Sequence, residues 1–377
     1  MNKHIIEPKS RRDYRRLNIL LLNNNFSGSY NSNKFYYKEI EMELTRMGCN
    51  VFLVDTIQKA VDIYEKYRID FSLCLGVYKY EIEGIKLYDY YKIPNYQWIS
   101  DNPFKMDIDY NSTFIKYIFI DYEFIRMTHE IKNEPLVLPL GCIKKEPHFN
   151  FTNKINGVLF PGQVRNIDNI ELEINNSRFK MAINQFIADY DMDTSFIDAF
   201  TNFADSSGLS LEKEFFRLCN SYIRAYKRIT VLKAIKDIPV YIAGQKQYNG
   251  FSGNYNFLGE KSFYEIENLM SNYRYVLNVD PNYYDCIHDR VSRAINVGSV
   301  VISNNSKALC SQKGYSNTYS FRDIQDINKL LHYTEREYKD IHMKQLKFIE
   351  DSYWDVSLKK IVDDYNRWRI KNEINKN

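Results

Sequence analysis

The chain has 377 residues, of which 44% are hydrophobic and 26% are charged, and its formal net charge is +3. This length suits two domains of ordinary size, and the composition is that of globular proteins with packed cores. The small net charge does not favour nucleic acid as an obligatory partner. No apolar run approaches the roughly 20 residues that cross a bilayer, so we expect no integral membrane segment.

The six cysteines lie far apart in the sequence, and no two of them form a C-x-x-C pair. Several fall within apolar runs, as free cysteines of protein cores do. The basic N-terminal stretch is not followed by the apolar run of a signal peptide. Together these features predict a cytoplasmic protein with reduced thiols.

The first part of the chain alternates between apolar strand-like runs and helical patterns. Strands are predicted at residues 17–22, 51–54, 71–77, 96–99, 117–120 and 136–138, and helices at residues 36–47 and 60–67. Short apolar strands that alternate with helices predict an open parallel sheet covered on both faces.

The alternation begins again after residues 141–156, a polar stretch with the character of a linker. The later strands are predicted at residues 158–160, 240–243, 275–279 and 300–303, with a helical block at about 170–236 and a helical pattern at 334–374, broken around 351–354. We therefore predict an α/β fold of two tandem Rossmann-like domains, with a helical insertion in the second and a C-terminal helix that crosses back. The predicted boundaries are 1–145, 146–345 with the insertion at about 165–236, and 346–377.

Residues 277–305, LNVDPNYYDCIHDRVSRAINVGSVVISNN, carry the strongest functional signal. They predict a strand, a polar loop, a helix that begins near His288 and a second buried strand. Unpaired backbone N–H groups and the helix dipole make such a helix start a natural anion site. His288 and Arg290 stand at that start, and a guanidinium beside an imidazole suits a pyrophosphate. The pattern predicts a nucleotide-sugar-binding enzyme, although a His-x-Arg at a helix start is most often surface decoration.

Four segments occur in the order of a known family: IPNYQWISDNP at 93–103, LVLPLG at 136–141, GVLFPG at 157–162, and the segment that starts at 277. They resemble the GT-B glycosyltransferases and, more narrowly, the CgeB-type (spore-maturation-like) branch. The resemblance implies a donor nucleotide sugar in the second domain, an acceptor near the first, and transfer of the sugar between them.

The resemblance also implies roles for single residues. His288 and Arg290 would contact the phosphates or the sugar of the donor, and the backbone after Asp285 would contribute N–H groups. The other predicted donor-site residues follow strands, and they are Asn278, Asp280, Gly162, Gln163, Gly244, Gln245, Gly259 and Glu260. For the last four, an ordinary strand-end loop is an equally good interpretation.

An inverting transfer needs a base that deprotonates the acceptor hydroxyl, and Asp101 is the best candidate. Asp101 precedes Asn-Pro, so a turn residue or a helix N-cap is the alternative interpretation. His288 is the second candidate catalytic residue. Asn23, Gly28 and Asn102 are the candidates for acceptor contact.

Many retaining relatives carry two glutamates eight residues apart, the second of which commonly holds the nucleotide ribose. This chain has Asp285 and Arg293 at those positions. Two alternative functions therefore stay open: a catalytically silent GT-B subunit that binds a partner or glycan, and a nucleotide-sugar epimerase.

No arrangement in the sequence predicts a metal or another cofactor. The acidic runs at residues 189–193 and 107–109 do not end buried strands, so we interpret them as solvated helix-terminal acids; the first also lacks the glycine and glutamate of a calcium loop. The histidines have no metal-ligand spacing. The expected partners are a nucleotide sugar and an acceptor, which is a protein, a glycan or a small molecule and not nucleic acid; a homo-oligomer is compatible with the sequence.

Overall fold

The computed structural model describes residues 17–23, 32–77, 80–106, 108–128, 131–146, 150–209, 212–279, 283–310, 315 and 317–374. The chain divides into two compact units, Met1–Lys144 with Asp351–Asn377 and Lys145–Glu350. Each unit contains a six-stranded sheet in which every neighbouring pair of strands is parallel. The predicted α/β class with two Rossmann-like domains is confirmed.

The first unit contains the six strands that the sequence predicted and a short antiparallel hairpin that it did not. The strands are β1 Asn18–Leu22, β2 Asn50–Val54, β3 Phe71–Leu75, β4 Glu81–Ile82, β5 Ile85–Lys86, β6 Asn95–Ile99, β7 Ile115–Phe119 and β8 Leu136–Val137. The helices are α1 Ser32–Arg46, α2 Ile57–Lys66, α3 Leu87–Tyr91 and α4 Tyr122–Arg126, with a 3₁₀ turn at Pro103–Lys105. The sheet order is β2-β1-β3-β6-β7-β8, and β4 pairs with β5. β1, β3 and β6 are buried along their whole length, as continuous apolar runs in a covered parallel sheet should be.

The second unit has the strand order β11-β10-β9-β12-β13-β14. These strands are β9 Ile155–Pro161, β10 Val240–Ala243, β11 Tyr255–Phe257, β12 Tyr273–Asn278, β13 Val300–Asn304 and β14 Thr318–Tyr319. The helices are α5 Ile167–Asn175, α6 Lys180–Asp189, α7 Phe196–Ser206, α8 Lys213–Ala234, α9 Phe263–Asn272, α10 Asp289–Asn296, α11 Lys307–Cys310 and α12 Glu335–Phe348, with a 3₁₀ segment at Ile324–Leu330. The direction of chain progression reverses between β9 and β12. Open parallel sheets bind their ligands at such a switch point, outside the carboxyl ends of the strands.

The predicted helical insertion is present, and it consists of four helices rather than one continuous block. α5 to α8 all lie in the connection from β9 to β10. The insertion has an aromatic core of its own, in which the ring of Phe200 lies 5.7 Å from that of Phe186 and 5.1 Å from that of Phe216, both edge-to-face. Such ring pairs stabilise beyond their buried area. The insertion is therefore a packed layer of helices and not a long irregular loop.

The last helix, α13 Trp354–Ile374, returns to the first unit, as the sequence predicted. A 3₁₀ turn at Glu350–Ser352 precedes it. The Trp354 side chain is fully buried, and its indole N–H donates to the Oε2 atom of Glu39 at 2.7 Å. A Cβ atom on Gly141 would lie 2.6 Å from the indole, so only glycine allows the chain to pass there. Among the described helices, none combines the length and the apolar character that a membrane crossing requires.

Candidate functional site

The guanidinium of Arg290 is held at the carboxyl end of β12. Arg290 Nη1 donates to the Oδ1 atom of Asn278, the last residue of that strand, at 3.2 Å. The Nδ2 atom of Asn278 in turn donates to Ser303 Oγ on β13 at 2.9 Å. Because Asn278 is buried and partnered on both sides, it fixes the arginine beside the switch point.

The predicted helix start near His288 is confirmed, since α10 begins at Asp289 with His288 as its N-cap. The ring nitrogen Nδ1 lies 2.6 Å from Asp289 Oδ1 and 3.1 Å from the backbone nitrogen of Arg290. The contact with the backbone N–H of Arg290 caps the start of α10, and the contact with Asp289 holds the imidazole ring in place beside it.

Arg293 is a buried structural residue, and it belongs to an ion-pair network that joins two helices. Its Nη1 atom donates to Glu267 Oε2 of α9 at 2.9 Å, and its Nε atom lies 3.6 Å from Asp289 Oδ2. Lys145 pairs with the other oxygen of Glu267, and the ring of Phe263 lies 5.1 Å from the guanidinium. Arg293 is thus a buried cation that fastens α10 to α9.

The predicted residues after β9 and β10 come together. Gln163 Nε2 donates to Gln245 Oε1 at 2.9 Å, and the backbone N–H of Gly162 donates to the Ala243 carbonyl at 3.0 Å. A Cβ atom on Gly244 would lie only 2.5 Å from the Gly162 carbonyl oxygen. Gly244 is therefore glycine because two backbones approach closely, and the four predicted residues form one wall at the carboxyl edge.

The remaining predicted donor residues lie farther from the switch point or are already paired. Gly259 (φ +73°) and the exposed Glu260 follow β11, the edge strand, which pairs only with β10. Asp285 Oδ1 lies 2.7 Å from Lys307 Nζ of α11. Asp280 lies outside the described residues.

The first unit presents Asp101 as an exposed carboxylate after β6. The cap of the following 3₁₀ turn is Asn102 and not Asp101, because Asn102 Oδ1 accepts from the N–H of Phe104 at 2.9 Å. Asn102 is buried, and its Nδ2 atom lies 3.3 Å from Met127 Sδ. Asn23 follows β1, and its backbone N–H donates to the Val54 carbonyl at 2.8 Å. Gly28 lies outside the described residues.

The interpretation of the acidic run at 189–193 as solvated is wrong for Asp191 and Asp193. Asp193 accepts from Ser320 Oγ at 2.6 Å and from the backbone N–H of Phe321 at 2.7 Å. Asp191 pairs with Arg322. These acids fasten the insertion to the segment after β14, a long-range role that no sequence pattern signals. In the part of the chain that the structure describes, no three His, Cys, Asp or Glu residues form a group able to hold a metal ion.

Gly244→Ala should separate the two strand-end loops and destabilise the second unit. The added methyl group collides with backbone rather than with a flexible side chain, and overpacking of this kind costs about 1–3 kcal/mol. The measurement is the free energy of unfolding of both proteins. Gln245→Ala, at an exposed neighbouring position, is the control and should unfold like the wild type. Equal stability of Gly244→Ala would contradict the close backbone approach.

Arg293→Met should cost about 3–5 kcal/mol of unfolding free energy, because it leaves Glu267 buried beside one remaining cation. The double variant Arg293→Met with Glu267→Met should recover part of that loss, since Glu267 is removed together with its partner, while buried Asp289 still loses the guanidinium 3.6 Å away. A double-mutant cycle on the four proteins gives the coupling energy. Additive effects of the two substitutions would show that the pair does not hold the helices together.

Comparison with known proteins identifies the fold. No protein-family model matches the chain, and no curated protein matches it in sequence. AviGT4, a glycosyltransferase involved in avilamycin A biosynthesis, is similar in structure with a TM-score of 0.53 and 10% identity over 93% of this chain and 98% of that one. Sucrose-phosphate synthase from Thermosynechococcus elongatus also has a TM-score of 0.53, with 10% identity over 94% and 100% of the two chains. The DNA modifying enzyme β-glucosyltransferase has a TM-score of 0.50, with 14% identity over 92% and 100%. The protein therefore has the two-domain GT-B fold of these glycosyltransferases.

Proposed function

We propose that the protein is a glycosyltransferase that moves a sugar from a nucleotide-sugar donor to an acceptor without a metal. The observation that carries the proposal is the position of Arg290, which a hydrogen bond to Asn278 holds at the carboxyl end of β12. That strand borders the switch point of the second sheet. Ligands of open parallel sheets bind at such points.

Arg290 and the start of α10 would bind the donor diphosphate. A guanidinium presents its N–H donors in a forked geometry that suits phosphate oxygens, and the hydrogen bond to Asn278 holds this one in place. The positive end of the α10 dipole adds to the same field. Gly162, Gln163, Gly244 and Gln245 would line the opposite wall, where glycines permit close backbone approach.

In the chemical step, negative charge would develop on the departing diphosphate. Arg290 and the helix start would stabilise that charge, which is the part of catalysis that fixed cations and dipoles perform best. His288 would contact the phosphates or the transferred sugar. Asp101, an exposed carboxylate of the first unit, would deprotonate the acceptor hydroxyl, assisted by acceptor contacts of Asn23, Gly28 and Asn102.

We infer membership of the CgeB-type branch from the four ordered segments that resemble it. The acceptor is a protein, a glycan or a small molecule. One structure of similar fold belongs to a DNA modifying enzyme. In this chain, however, 51 basic and 48 acidic residues nearly balance, which does not favour a nucleic-acid acceptor.

A catalytically silent GT-B subunit is the second candidate function, and Arg293 favours it. Its guanidinium is buried in ion pairs, so the position offers no carboxylate to a nucleotide ribose. Hydrolysis of the donor by the purified protein would argue against a silent subunit. Conversion of the donor to an isomer without any acceptor would identify the third candidate, an epimerase.

Arg290→Ala should weaken donor binding about tenfold or more, because a hydrogen bond to a charged group contributes about 1.5–3 kcal/mol. A thermal-shift panel of nucleoside diphosphates and nucleotide sugars, with and without EDTA, selects the ligand. Binding at 100 times the dissociation constant adds about 2.7 kcal/mol of stability. Arg336→Ala, at an exposed position of α12, is the matched control. An unchanged dissociation constant in Arg290→Ala would refute the assigned donor site.

Asp101→Asn should leave donor affinity unchanged and reduce transfer by at least 100-fold, since a general base contributes about 10²–10⁴ in rate. The measurement is transfer of labelled sugar from the donor that the panel selects to a set of glycan, peptide and small-molecule acceptors. Glu134→Gln, an exposed acid of the same unit, is the control. Full transfer activity of Asp101→Asn would exclude the base role.

A further inference from the structure

We propose that the helical insertion contributes half of the diphosphate site, through Arg224 and Arg228 of α8. These two arginines would bind the donor diphosphate from the side of the sheet opposite Arg290. The inference rests on the proposed function and extends it. It gives the insertion a role in selecting donors that carry a nucleoside diphosphate.

Two hydrogen bonds fix the direction in which one face of α8 points. Arg228 Nη1 donates to the Gln163 carbonyl at 2.8 Å, and Arg165 Nη1 donates to Ser221 Oγ at 3.4 Å. Ser221 and Arg228 are seven residues apart, which places them on one face of a helix. Arg224 is three residues after Ser221 and four residues before Arg228, so it lies on the same face. This face of α8 is therefore turned toward residues 163–165, which follow β9.

Two arginines at this face have no ion pair with any described residue. They are Arg224, which lies on the face, and Arg165, which contacts it through Ser221. Arg217, farther along the same face, differs because its Nη1 atom lies 2.7 Å from Glu173 Oε2. Neighbouring guanidinium groups repel one another, and an anion removes that repulsion. The charges of Arg165 and Arg224 therefore favour an anionic ligand beside this face.

α8 and α10 approach the switch point from opposite faces of the sheet. Ile229 and Leu232 of α8 pack in the same core cluster as two residues at the end of the central strand. These are Leu277 of β12 and Val279, which directly follows β12. Side chains alternate along a strand, so Asn278 points to the other face, and there it meets Arg290. A ligand at the carboxyl ends of β9 and β12 therefore lies between Arg290 on one face and the α8 arginines on the other.

The length of α8 brings Arg224 above the edge of the sheet. α8 has 22 residues and thus spans roughly 33 Å, whereas the four residues of β10 span roughly 13 Å. Arg228 already contacts the loop beyond the end of β9, six residues before α8 ends. The preceding turns of the helix therefore extend past the carboxyl edge, and Arg224 borders the space that a ligand would occupy.

Arginines on both faces of the sheet suit a diphosphate better than a single phosphate. When the bond between the sugar and the diphosphate breaks, the leaving nucleoside diphosphate gains a negative charge. Arginines placed on both sides bind this product more tightly than the donor, and such differential binding lowers the barrier to transfer. Donors with one phosphate would reach only one of the two sides.

The test compares Arg224→Gln, Arg228→Gln and the double variant with the control Arg217→Gln. Calorimetry with UDP, GDP, ADP, dTDP and the matching monophosphates gives the dissociation constants. The double variant should lose at least tenfold in affinity for the diphosphate that the wild type binds, with less than a twofold change for its monophosphate. Arg217→Gln should match the wild type. Arg224→Lys, which keeps the charge, should recover part of the affinity.

Several results would overturn the inference. Wild-type diphosphate affinity in the double variant, together with loss of affinity in Arg290→Ala, would refute the role of α8 and leave the proposed donor site intact. Equal losses for diphosphate and monophosphate would also refute it. Failure of the wild type to bind any of the nucleotides would refute both proposals. Arg228→Gln also removes the contact with Gln163. If that variant melts at a lower temperature than the wild type, the diphosphate affinity of Arg224→Gln alone decides whether α8 contributes to the site.

Discussion

The buried ion pair between Arg293 and Glu267 is the interaction on which the position of α10 depends. It joins α10 to α9 at a distance of 2.9 Å, with both side chains almost fully buried. A pair of this kind tolerates little displacement, because a buried charge that loses its partner costs several kcal/mol. His288 and Arg290 occupy the first turn of the helix so anchored. The positions of these two residues thus depend on an ion pair formed farther along the helix.

Much of the fold could be predicted from local patterns. β1, β3 and β6 are mainly apolar runs because both faces of their sheet are covered. Such runs can be recognised in the sequence without any knowledge of tertiary contacts. The start of α10 could also be predicted, since polar residues follow an apolar strand and precede a segment with helical periodicity. β11 and β14 were missed because strands of three and two residues carry no periodic signal.

The site was only partly predictable, for a different physical reason. The glycines at 162 and 244 follow strands, and strand order brings those ends together, so their proximity could be predicted. Glu267 could not be, because its role exists only through a partner 26 residues away in the sequence. The same holds for Asp193, whose partners lie 127 and 128 residues away. Burial of paired charges depends on tertiary contacts, and a single sequence does not contain them.

The ion-pair network around Arg293 is balanced in charge. Arg293 and Lys145 are matched by Glu267 and Asp289, so this network is neutral as a whole and adds little net field at the start of α10. The field at the carboxyl edge comes instead from cations outside the network and from the helix dipole. Arg293 therefore adds little positive charge at that edge, and its guanidinium secures the helix that carries Arg290.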